Sequence, residues 1–173
     1  MRKSFLLTGA LAAAISLSAA ATQSAHAADV ITEATAQQMG NILKQNGFEV
    51  TEVGLTSDGK PQVTAKYNNT VFQVLFYGCN NTNPVRCTRI QLRADYNAPE
   101  IQLEPLNTYN GSWVFGKAYR YESQGAFGAS IEVPVNLEGG VTAANLTSTF
   151  DIWRDVLGKF ETEAMGFTNT APN

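Results

Sequence analysis

The chain has one histidine, His26, and two cysteines, Cys79 and Cys87. It is also short of positive charge, with 12 Lys plus Arg against 15 Asp plus Glu. The first residues sharpen these shortages. Met1-Arg2-Lys3 is followed by small and apolar residues from Phe5 to about Ala21, then by Ala25-His26-Ala27. A positive start, an apolar middle and an A-x-A site are the layout of a secretory signal. Thr8, Ser16, Ser18 and the many alanines make the run too weakly apolar for a membrane span of ~20 residues. Cleavage is expected after Ala27, leaving a mature chain from Ala28. That chain has no histidine. It also loses Arg2 and Lys3, so 10 Lys plus Arg face 15 Asp plus Glu, a net charge of −5.

Without histidine, Ser-His-Asp and Cys-His arrangements are excluded. Two cysteines cannot supply the four ligands of a structural zinc site. The acidic balance argues against a clustered basic surface for nucleic acid and against polybasic attachment to a membrane. No later stretch is long and apolar enough to span a bilayer, so no stable membrane insertion is expected after cleavage. No G-x-S-x-G or phosphate loop is visible; Gly139-Gly140 reads as a turn before a helix. Asp151 and Asp155 share a helix face and read as solvated charge. The expectation is an exported protein, in the periplasm or released from it, with no catalytic residue, metal or cofactor. The 146 residues after the cut suit one domain that buries roughly 70% of its unfolded surface. It is placed at 28–167, with 168–173 as a loose tail.

Cys79 and Cys87 lie in Tyr77-Gly78-Cys79-Asn80-Asn81-Thr82-Asn83-Pro84-Val85-Arg86-Cys87. An exported protein folds in an oxidising compartment. Gly, Asn and Pro let this segment turn back on itself. A redox pair wants C-x-x-C at a helix start, and this spacing does not supply it. The pair reads as a structural disulfide between two strands.

Thr32 is the expected cap of a helix over 33–46, with Ala36, Met39, Ile42 and Leu43 on one stripe and Gly47 as the stop. Strands follow at 48–53 and around Val63, Ala65 and Tyr67, with a turn at Ser57-Asp58-Gly59-Lys60 between them. Asn68-Asn69 is the next hairpin loop. Val71 to Tyr77 is apolar at nearly every position, which predicts a central strand covered on both faces. Ile90, Leu92, Ala94 and Tyr96 alternate with Arg89, Gln91, Arg93 and Asp95, the pattern of a half-buried strand.

A short helix is expected from Pro105, at its first position, to about Asn110. A hairpin follows, with strands at 113–121 and 127–135 around Ser123-Gln124-Gly125. Pro134 places its second strand on an edge. Leu146, Phe150, Trp153, Leu157 and Phe160 form the stripe of a closing helix capped by Thr142. Asp155 and Lys159 are spaced for an i,i+4 pair on it. The fold class is α+β: an antiparallel sheet with N- and C-terminal helices and a short middle helix.

The order and wording of these segments resemble the YbjN-domain family of bacterial sensory transduction regulators. Phe72-Gln73-Val74-Leu75-Phe76-Tyr77-Gly78-Cys79 resembles the third-strand motif of its secreted members. Asn107-Thr108-Tyr109-Asn110 resembles its Asn-x-Trp-Asn helix, with Tyr109 where the family usually has Trp. Trp113-Val114-Phe115-Gly116-Lys117-Ala118-Tyr119 resembles the strand after it. Glu138-Gly139-Gly140-Val141-Thr142, with Trp153 and Phe160 downstream, resembles its closing helix. Asn46-Gly47-Phe48 and Asp58-Gly59-Lys60-Pro61 fit its opening. The resemblance runs from about 32 to 163. It implies a fold like that of type III secretion chaperones, used for protein contacts, and no established catalytic activity. A signal peptide places this member outside the cytoplasm, so a cytoplasmic chaperone role does not carry over.

Tyr109, Trp113, Phe115, Tyr119 and Tyr121 cluster around one predicted hairpin. They either pack as core or line a candidate binding surface. The functional expectation is a non-enzymatic, adaptor- or chaperone-like module linked to regulation, contacting an envelope protein or peptide. The chaperone-like fold would also suit a homodimer. The alternative is a small-molecule or glycan binder that uses the aromatic hairpin at 113–127.

Overall fold

In a computed structural model of the chain, residues 30–167 are described. The signal reading at 1–27, with its cut between Ala27 and Ala28, and the tail at 168–173 lie outside them. The elements run β1 (Val30–Ile31), α1 (Ala36–Gln45), β2 (Glu49–Leu55), β3 (Pro61–Tyr67), β4 (Thr70–Cys79) and β5 (Cys87–Asn97). Then come α2 (Leu103–Ser112), β6 (Lys117–Ser123), β7 (Ala126–Asn136), β8 (Val141–Thr142) and α3 (Ala143–Lys159), which closes in a π-helical turn at Phe160–Ala164. Six strands form one antiparallel sheet in the order β2-β3-β4-β5-β7-β6, and β1 pairs with β8 beside it. The fold is α+β, as the sequence pattern predicts.

One apolar core lies between the sheet and the helices. Val63, Ala65, Phe72, Val74, Phe76, Ile90, Leu92, Ala94 and Ile131 project from the sheet into it. The α3 stripe of Leu146, Phe150, Trp153, Leu157 and Phe160 is buried throughout. Edge-to-face aromatic pairs knit the layers. Phe72 lies 5.3 Å from Phe48 and 5.6 Å from Trp153, ring centre to ring centre. Arg154 of α3 stacks 4.5 Å over Phe48 and donates to the Asn46 carbonyl at the end of α1. Three of the hairpins turn where positive φ is expected, at Gly59, at Asn68 and at Gln124-Gly125.

Several expectations need correction. Thr35, not Thr32, caps α1, in a reciprocal capping box with Gln38. Ala34 is the reason: it exchanges both backbone hydrogen bonds with Cys87 at 3.0 Å, so the chain stays extended until Thr35. Pro105 is the third residue of α2, because first-turn N–H groups have no helical partner to lose. The strand expected from Trp113 starts at Lys117. Trp113 instead ends α2, donating its N–H to the Tyr109 carbonyl at 2.9 Å, and Gly116 at φ +85° turns the chain into β6.

β7 is an inner strand, not an edge. Pro134 is tolerated because β6 begins only at Lys117, opposite Glu132, and leaves that flank of Pro134 open. Lys159 pairs with Glu163 at 3.2 Å, not with Asp155, since Glu163 and the Trp113 ring draw the ammonium toward the helix end. Finally, β4 is covered on one face only. Phe72, Val74 and Phe76 are buried, while Val71 and Tyr77 stay exposed.

Candidate functional site

The open face of β4 extends across the whole sheet. The core-facing residues lie under α1, α2 and α3, and the alternate residues of every strand face away from the helices. Cross-strand registry makes these outward residues into rows. One row joins Gln62, Leu75, Gln91 and Pro134; the next joins Thr64, Gln73, Arg93, Glu132 and Lys117. Tyr77, Arg89, Gln91, Pro134 and Asn136 line a shallow depression of about 310 Å³ at one end, where Tyr77 Oη donates to Gln91 Oε1 at 3.0 Å.

At the other end, three strands build a polar network. Arg93 Nε lies 2.8 Å from Asp95 Oδ1 on β5. Ser130 of β7, fully buried, donates to the same oxygen at 2.6 Å. Its neighbour on that face, Glu132, is only 7% exposed although no helix covers it. Tyr119 Oη donates to Glu132 Oε2 at 3.1 Å, and Lys117 Nζ lies 2.5 Å from Oε1. The Tyr119 ring has the Lys117 ammonium 5.0 Å and the Arg93 guanidinium 6.0 Å from its centre. The Glu132 carboxylate holds the Lys117 ammonium above its ordinary pKa, and burial raises that of the Tyr119 hydroxyl. Tyr121 lies across Gly128, where an added Cβ would stand 2.5 Å from the ring. The result is a charge-balanced surface on which side chains from three strands hold one another.

The five aromatics singled out in the sequence do not share one surface. Tyr119 and Tyr121 are on the open sheet face. Tyr109 is 1% exposed and packs edge-to-face on Phe160 at 5.5 Å, so it has no surface to present. Burial first, then the Glu163 carboxylate, push its hydroxyl up to about 12. Trp113 is on the helix side, donating from Nε1 to Glu163 Oε2 at 2.7 Å under the Lys159 ammonium. Phe115 is half exposed on the loop that follows. The split follows from where β6 begins.

Sequence reasoning noted Arg93, Asp95 and Lys117 but not Ser130 or Glu132. The signal was present: both occupy the alternate positions of an otherwise apolar run, Ala129, Ile131 and Val133. Asn110 stands in the quoted α2 motif, but its role at the sheet edge does not follow from that motif. From the last turn of α2, its side-chain amide donates to the Ala118 carbonyl and accepts from the Ala118 N–H, both at 2.9 Å.

Cys79 and Cys87 are bonded to each other and are direct cross-strand partners at the end of the β4–β5 ladder. Among the described residues, no group of three or more His, Cys, Asp or Glu is placed to hold a metal ion, and no helix is long and apolar enough to cross a membrane.

A one-sided antiparallel sheet carrying an interlocked polar-aromatic network defines an α+β protein that offers a face. The family model YbjN, described as "Putative bacterial sensory transduction regulator", matches residues 35–164, and the chain belongs to that family. The crystal structure of YbjN from E. coli, titled "a putative transcription regulator", is similar in fold. It has a TM-score of 0.59 and 13% sequence identity, covering 80% of this chain and 96% of that one. The chain matches no curated protein.

Proposed function

We propose that this YbjN-family chain is an exported, non-enzymatic binding module of the cell envelope, and that its open sheet face docks a segment of a protein partner in a regulatory process. The observation that carries this reading is the buried Glu132 on a face with no helix above it. Lys117, Tyr119 and Glu132 fix one another, as do Arg93, Asp95 and Ser130. Side chains already ordered lose little entropy when a partner arrives. The same engagement argues against catalysis, since the Ser130 hydroxyl is fully buried and donates to an Asp95 carboxylate that Arg93 already pairs. Export is supported by the signal layout at 1–27 and by the bond between the chain's two cysteines. The glycan alternative needs one aromatic platform, and the five aromatics are divided between two sides of the molecule.

The test is differential capture. Mature protein from Ala28 and a Leu75→Asp/Tyr77→Asp variant are immobilised side by side, and a periplasmic extract is passed over both. The expected result is one near-stoichiometric protein retained by the native surface and lost from the variant. Equal retention by both, or recovery of the bait alone, would overturn the docking reading.

A further inference from the structure

The sheet has two edges, and they differ. β2 is blunted. Its register with β3 slips between Val50 and Glu52, and exposed Glu49 and Glu52 put like charge along it. Bulges and charges of this kind discourage pairing with another strand. β6 is regular over all seven residues.

Backbone groups alternate direction along a strand, so the outward ones on β6 can be identified. The Asn110 amide bonds both the N–H and the C=O of Ala118, so those two groups point away from β7. By alternation, the backbone groups of Arg120 and Glu122 also point outward. The side chains of both residues are exposed, and neither forms an ion pair among the described residues.

We propose that β6 is a self-association edge, on which a second copy of this chain pairs antiparallel through residues 119–123 and extends the sheet across a two-fold axis at Tyr121. Two independent features select this register. Centred on Tyr121, Arg120 of each copy is opposite Glu122 of the other. Those two residues then exchange their outward N–H and C=O groups across the axis, and their opposite charges meet on one face. Centring on Arg120 would place like charges opposite each other and would match Glu122 with Ala118, whose groups Asn110 already holds. Centring on Tyr119 would again need Ala118. In the selected register, Asn110 of the second copy is beside the Gln124-Gly125 turn, past the paired stretch. The open face becomes continuous over both copies, with Tyr121 against Tyr121 at its centre. The paired stretch is short, so the dimer is weak and concentration-dependent.

This inference needs no outside partner, so its test is independent of the docking reading. Sedimentation velocity over a concentration series is run on native protein from Ala28, on R120E, on E122R and on the double exchange R120E/E122R. Native protein is expected to dimerise as concentration rises. R120E and E122R each set like charges opposite each other and should weaken association about tenfold or more. Equimolar R120E and E122R should form a heterodimer, and the double exchange should restore the native affinity. Both side chains are exposed, and R120E gives up only the stacking of Arg120 4.6 Å over the Phe127 ring, so thermal melts should stay near native and exclude misfolding as the cause. A native chain that stays monomeric to millimolar concentration would overturn the proposal. So would single variants that associate as the native chain does, or a mixture that fails to pair.

Discussion

Replacing Asn110 by alanine removes the partners of the Ala118 N–H and C=O at the edge of the sheet. Water can reach a surface edge, so the expected loss is about 1 kcal/mol, read by urea unfolding. Asn110→Asp should lose more, because a carboxylate cannot donate to the Ala118 carbonyl and would repel it. Two glycines make an opposed pair. Gly158 is inside α3 with nothing within 4 Å of an added Cβ, so Gly158→Ala should stabilise by up to ~1 kcal/mol. At Gly128 the same methyl would stand 2.6 Å from the Tyr96 carbonyl as well as against the Tyr121 ring, so Gly128→Ala should lower the melting temperature markedly. Tyr109 supplies a pH dependence. Its folded pKa is raised from 10.0 to about 12, so the folded state keeps the proton that the unfolded state gives up. This stabilisation is complete below pH 10 and is lost as pH rises toward 12. Melts across that window should fall less steeply for Tyr109→Phe than for the native chain.

At the scale of elements, β4 is the most direct test of a one-sided sheet. Phe76→Ala opens a hole in the core and should cost about 3–5 kcal/mol. Leu75→Ala, one residue earlier on the open face, should cost about 1 kcal/mol or less. Comparable losses at the two positions would mean that both faces are packed. The contrast also explains what was legible. The α3 stripe was readable because a helix has one core and its period says where that core is. β4 misled because its outward Val71, Leu75 and Tyr77 are as apolar as its inward residues, and an apolar run cannot say whether its second side has a neighbour. α2 misled differently. Pro105 was treated as a boundary, yet a helix tolerates proline throughout its first turn. At its other end α2 runs on to Ser112 and only Gly116 turns the chain into β6, which decides the fate of Trp113 and Phe115.

For the whole molecule, the network on the open face needs Arg93 and Asp95 from β5, Lys117 and Tyr119 from β6, and Ser130 and Glu132 from β7. The order β5-β7-β6 brings them together, and no local pattern encodes that crossover. The disulfide was legible because it closes a hairpin between neighbours in sequence. It also links the fold to the compartment. Closing nine residues removes about 2.5 kcal/mol of unfolded-state entropy in the chain-entropy model. Cys87 is fully buried and its backbone holds Ala34 against the sheet, so the bond anchors the entry to α1 as well. The native protein should therefore unfold at lower urea after reduction, and Cys79→Ser/Cys87→Ser should match the reduced form. The same bond reports export. Cells are quenched with an alkylating agent before lysis, and the intact protein is weighed by mass spectrometry. Export predicts an unalkylated chain whose mass begins at Ala28, since an oxidising compartment leaves no thiol to modify. A chain that keeps Met1 and carries two alkyl groups would place the protein in the cytoplasm, and the docking partner would then have to be sought there.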